Sequence, residues 1–86
     1  MIHARKDYMH IQDQTGKVAQ DEPVFLLRAK DSLAPNTVRY WAALLLDHNG
    51  DVVAYKAAME QAELMEEWQE NNMSKLPDTP PAAVAS

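Results

Sequence analysis

Cysteine is absent from this 86-residue chain, so neither a disulfide framework nor a thiolate metal site can stabilise it. Glycine is nearly as scarce. Two residues, Gly16 and Gly50, leave no glycine-rich phosphate loop. No apolar run approaches the ~20 residues of a membrane span, and the charged opening Met1–Asp7 has no apolar core of a secretory signal behind it. These absences lead to the expectation of a soluble, cytoplasmic protein. Catalytic groups are thin too. His3, His10 and His48 are scattered, with no i, i+4 pair, so no metal site is expected. No Ser/His/Asp arrangement follows from spacing. The expectation is a protein that is not an enzyme and carries no cofactor.

Basic residues are rare in the second half. Residues 1–40 hold six Lys/Arg against five acids, a net of +1, whereas residues 41–86 hold two against eight acids, a net of −6. With −5 overall, the chain is a poor non-specific ligand for nucleic acid, whose affinity comes largely from phosphate neutralisation. Any anion site must be local and must lie in the first half.

What is present is a strand followed by helices. Glu22–Asp31 reads Glu-Pro-Val-Phe-Leu-Leu-Arg-Ala-Lys-Asp. Pro23 suits the first position of a strand, and Val24, Phe25, Leu26 and Leu27 form an apolar run that wants both faces covered. A single strand cannot make a sheet, so it is expected to pair with another copy of the chain. Residues 1–22 form an N-terminal arm with a turn at Gly16; Tyr8 and Ile11 either share a short helical turn or simply pin the arm to the body.

Asp31, Ser32 and Pro35 announce a helix over about 33–48, which Asn49-Gly50 then stops. Val38, Trp41, Ala42 and Leu45 share one face of it, flanked by Tyr40, Leu44 and Leu46. The apolar arc is roughly 240° wide, against ~100° for an ordinary surface helix. Only Asn36, Arg39, Ala43 and Asp47 form a polar stripe. Such a helix needs more than one packing partner, so Trp41, Leu44 and Leu45 join residues 24–27 as candidate oligomer-interface positions.

A second helix, capped by Asp51, is expected over about 52–71. Glu60, Glu63, Glu66, Glu67 and Glu70 with Lys56 make its solvated stripe. Val53, Ala57, Leu64 and Trp68 make the opposite side, joined by Ala54, Ala58, Ala62 and Met65, whose alanines would allow close approach of the helices. Residues 73–86, rich in proline and alanine, read as a disordered tail. The fold class is therefore α+β and mostly helical: one N-terminal strand and two antiparallel helices (β-α-α), assembled as a homo-oligomer. The strand-helix-helix domain spans residues 23–72.

The candidate ligand site is Arg28-Ala29-Lys30 together with the start of the first helix. Two cations beside a helix N-terminus suit an anion. Arg39 adds a third cation, and Tyr8 or Tyr40 could stack on a base. The alternative role for Arg28 and Lys30 is pairing with Asp31, with Glu22 or with a neighbour's acidic helix.

In its order of elements, with Phe25, Leu27 and Arg28 in the strand and Asn49-Gly50 between the helices, the chain resembles the ribbon-helix-helix repressors. That resemblance covers about residues 23–70. It implies antiparallel strands paired across a dimer, with outward positions Val24, Leu26 and Arg28 facing DNA. The family carries polar or basic residues there, where this chain has two aliphatics. In texture, Asp7-Tyr8-x-x-Ile11-Gln12-Asp13, then the strand segment, then Ala34-Pro35-x-x-Val38-Arg39-x-Trp41-Ala42 resembles small uncharacterised bacteriophage proteins over about residues 7–42. By analogy of class, that resemblance implies an anti-defence protein in the host-cell cytoplasm, a homo-oligomeric sponge that sequesters a nucleotide-like immune signal at subunit interfaces. The alternatives are a DNA-binding regulator, disfavoured by charge, and an inhibitor that docks its acidic helix on a host protein.

Overall fold

The computed structural model describes residues 1–72. The tail reading for residues 73–86 lies outside the described residues. About half of the chain is helical. The order is β1 (Ile2–His3), a single 3-10 turn at Lys6–Tyr8, β2 (Pro23–Val24), α1 (Ala34–Asp47) and α2 (Val52–Asn71). The described residues divide into two compact units, residues 1–26 and residues 27–72.

The first unit corrects the expectation for the strand. Only Pro23 and Val24 of the apolar run are extended, and they pair in parallel with Ile2 and His3 of the same chain, Ile2 opposite Pro23 and His3 opposite Val24. The Ile2 amide donates to the Glu22 carbonyl at 2.8 Å. A partner strand is thus supplied by the N-terminal residues of the same chain. Proline fits here because it sits at the first position of a two-residue strand. Phe25–Arg28 have no regular structure, and Ala29 and Lys30 turn so that the Asp31 amide reaches the Arg28 carbonyl at 2.9 Å. Strand alternation therefore does not govern where Arg28 and Lys30 point.

The same unit is held mainly by polar contacts. His3 is buried, its Nε2 lies 2.5 Å from the Ile11 carbonyl, and its ring meets Tyr8 edge-on. Asp13 organises the loop around Gly16. Its carboxylate accepts from the Thr15 amide (3.0 Å), the Thr15 hydroxyl (2.5 Å) and the Val18 amide (2.7 Å). The Thr15 hydroxyl, with these amides, holds the Asp13 carboxyl down at about 2. Gly16 takes a φ of +74°, which a side chain would strain.

The second unit is a helical hairpin. α1 begins after Leu33, whose amide donates to Asp31 Oδ1 at 2.8 Å, with Pro35 in the first turn where no amide is needed. At the far end Asn49 takes the left-handed conformation (φ 56°), and the Gly50 amide donates to the Leu45 carbonyl at 2.7 Å. A Cβ on Gly50 would fall 2.1 Å from Leu45 Cδ1, so this position needs glycine for close approach. Asp51 caps α2 by accepting from the Val53 amide at 2.8 Å. The open end of the hairpin is tied by Gln69, whose side-chain amide donates to the carbonyls of Ala29 and Asp31, each at 2.9 Å.

The two helices meet through small residues. Ala34, Ala42 and Ala62 are fully buried, and no large side chain of the described residues reaches that state. Val38 and Leu45 of α1, with Tyr55, Ala58, Met65 and Gln69 of α2, are half-buried around them. This corrects the expected inner face of α2. Val53, Ala57, Leu64 and Trp68 point outward, and the alanine line one step round the helix points in. Alanine lets helix axes approach closely, and larger side chains then fit only outside the seam. Enlarging the seam should force the helices apart. Ala62→Leu is expected to lower the unfolding free energy by about 1–3 kcal/mol in urea titrations followed by circular dichroism; an unchanged or raised value would show a loosely filled seam.

Candidate functional site

The proposed ligand residues are divided between the two units. Tyr8 belongs to the first unit, where the Arg5 guanidinium lies over its ring at 5.3 Å from the centroid and the His3 ring meets its edge. Arg5 also forms a two-pronged ion pair with Asp7, both bonds at 2.9 Å. The face of Tyr8 thus already has a planar cation against it.

In the second unit Arg39 is engaged as well. Its Nη2 donates to Glu66 Oε1, and its Nη1 donates to Asn36 Oδ1 at 3.3 Å. Arg39 was expected in a solvated polar stripe and Glu66 in a solvated acidic one. Instead both side chains are only partly exposed and bridge the two helices on one flank of the hairpin. The hydrogen bond from Arg39 lowers the Glu66 carboxyl below its usual range, and the same bond raises the Arg39 guanidinium.

Arg28 and Lys30 are exposed ahead of α1, and Tyr40 is 67% exposed on its outer side. Just ahead of the helix they border, Asp31 accepts from the Leu33 amide through Oδ1 and from the Ala34 amide through its carbonyl. Among the described residues, no group of three or more His, Cys, Asp or Glu is placed to hold a metal ion. Nor, among them, is any helix long and apolar enough to cross a membrane.

The interface residues divide more clearly. Val24 is half-buried in the strand pair, and Leu45 is half-buried on the inner side of the hairpin. Leu27 is also half-buried. Phe25 (74% exposed), Leu26, Trp41 and Leu44 remain open.

Sequence reasoning missed the partners of these open side chains. Counted at 100° per residue from the buried Ala42, Arg39 lies on one flank of α1 while Leu33, Trp41 and Leu44 lie on the other or on the back. Counted likewise from Ala62, Glu66 lies on one flank of α2, with Trp68 on the other and Leu64 toward the back. The Arg39–Glu66 pair shows which flanks adjoin. The hairpin is therefore a two-faced layer: one side gathers most of the open large apolar side chains, with Gln61 among them, and the other carries Glu63 and Glu70 beside the ion pair, with Leu46. The signal in the sequence was a second apolar line at Leu33, Tyr40 and Leu44, in heptad spacing with Thr37, beside the inner line Ala34, Val38, Ala42 and Leu45. Thr37 fits the outer line because its hydroxyl donates back to the Leu33 carbonyl at 2.8 Å.

The pair also sets a pH dependence. Because the folded-state value of Glu66 is lowered, its contribution is present above the ordinary glutamate range and is lost as pH falls through the lowered value. Glu66→Gln should therefore reduce stability at neutral pH and flatten the loss on acidification, read from urea midpoints across an acid series. Parallel acid profiles for the two proteins would contradict this.

Compared with protein-family models, curated proteins and solved structures, the chain matches none.

Proposed function

We propose that this chain is a non-enzymatic binding protein that works as a homo-oligomer, with the helical hairpin as its association element. One observation carries the reading. Among the described residues the fully buried hydrophobic ones are three alanines, while both tryptophans and several leucines stand open. A chain of this size sits near the limit at which one core suffices, and three alanine side chains bury little apolar area. Without cysteine to compensate, burial between copies is the economical source of stability.

Association of folded copies stabilises by mass action. The melting temperature is therefore expected to rise with protein concentration, alongside a concentration-dependent mass in sedimentation. A melting temperature and mass independent of concentration down to the lowest measurable range, with the mass of one chain, would overturn the reading.

A second element of the proposal concerns the ligand. Arg28 and Lys30 are exposed on the turn that leads into α1, in the half of the chain that is not acidic. Together with the exposed ring of Tyr40 they favour a small anionic, nucleotide-like ligand completed by a neighbouring subunit. Arg39 takes no part in the resting state, since Glu66 holds it. The ribbon-helix-helix reading receives less support, because β2 pairs in parallel within its own chain rather than antiparallel across a dimer. Cyclic nucleotides and ADP-ribose derivatives should raise the melting temperature of the native protein, and Lys30→Ala should diminish that rise. No shift with any of them would remove the ligand and leave the association reading standing.

A further inference from the structure

The two-faced hairpin identifies what covers its open side. We infer that a second copy of this chain docks on the face formed by Leu33, Trp41, Leu44, Leu64 and Trp68, through a two-fold axis passing near the middle of that face. This rests on the homo-oligomer reading and specifies its geometry.

Size is the first argument. Trp41 is 52% exposed, Trp68 42% and Leu64 56%, with Leu33 and Leu44 open beside them. At ~200 Å² for a fully covered aromatic, these five side chains leave on the order of 500 Å² of apolar surface. Tyr40, Val53 and Ala57 at the margin bring the total toward the ~800 Å² per partner of a standard interface. A patch of that size is unusual on a chain that stays single.

Charge is the second argument. Glu63 and Glu70 lie on the flank of the Arg39–Glu66 pair, away from this face, so two copies meeting through it keep those carboxylates apart, and Glu67 stands exposed beside Leu64 at the rim. Glu60 stands exposed at the border, where it stays in water at the rim.

Shape is the third. Along α2 the face is bulky at the Trp68 end and shallow at the other, where Ala54 and Ala57 sit toward the start of the helix, level with Trp41 and Leu44 of α1. Half a turn about a central axis sets the Trp68 end of each copy over the alanine end of its partner, large against small as interdigitated cores require. The product is a four-helix arrangement in which each hairpin supplies one layer.

Trp41 and Trp68 are the chain's two tryptophans, and both lie on this face, so intrinsic fluorescence reports on it directly. The test runs native mass spectrometry beside tryptophan emission and acrylamide quenching on the full, unmodified chain. The expected result is an even-numbered assembly with blue-shifted emission and quenching several-fold weaker than for free indole. Leu64→Lys should then give a single chain of unchanged helicity with red-shifted, readily quenched emission. An assembly whose tryptophans quench as freely as indole overturns the docking face but leaves self-association intact. Protected tryptophans in an odd-numbered assembly overturn the two-fold pairing. A single chain at every concentration overturns both readings. Should Leu64→Lys fail to fold, quenching of the unmodified protein still decides.

Discussion

The close approach of α1 and α2 through alanine is the constraint on which the rest of the second unit depends. Ala34, Ala42 and Ala62 are fully buried, and side chains of their size leave the helices little separation. With so narrow a seam, Trp41, Leu44, Leu64 and Trp68 cannot turn inward without overpacking. They are left on the outer surface, gathered to one flank. The turn between the helices follows the same demand: Asn49 supplies the left-handed residue, and Gly50 admits Leu45 where a Cβ could not.

Polar bonds then fix the hairpin that small apolar contacts alone would hold weakly. Gln69 joins the end of α2 to the carbonyls of Ala29 and Asp31, and Arg39 joins the middle of α1 to Glu66. The first places Lys30 and Arg28 on a turn tethered to the helical pair. The second takes one cation out of the candidate anion site and, in the same stroke, orders the two faces of the layer. An ion pair on one flank and an apolar face on the other are consequences of one helix orientation.

The first unit solves a different problem with little apolar area. Its sheet is two residues a side, its buried side chain is a histidine, and its loop is organised by the carboxylate of Asp13. Because the chain supplies its own partner for β2, the apolar run at Phe25–Leu27 is released from the sheet and leads into the turn ahead of α1.

Both helices, the Asp51 cap of α2 and the stop between them were legible from local residues. The start of α1 was not, since Leu33 rather than Asp31 or Ser32 stands at its cap, with no side-chain capping bond. Asp51 accepts from the second amide after it, Pro35 tolerates the first turn, and Asn-Gly ends α1, all through bonds that span a few positions. The excess apolar width of α1 was legible too, because it is a count of side chains around one axis. What only the tertiary structure decided was which of those side chains faced which neighbour. Nothing local distinguishes the Ala58–Ala62–Met65 line of α2 from the Val53–Leu64–Trp68 line; the choice depends on how near α1 can come. The partner of β2 lay some twenty positions away in Ile2 and His3, and the partner of Arg39 lay on the facing helix. Composition and capping thus determined the elements of this protein, while the seating of the pair determined its faces, because packing joins residues that are distant in sequence.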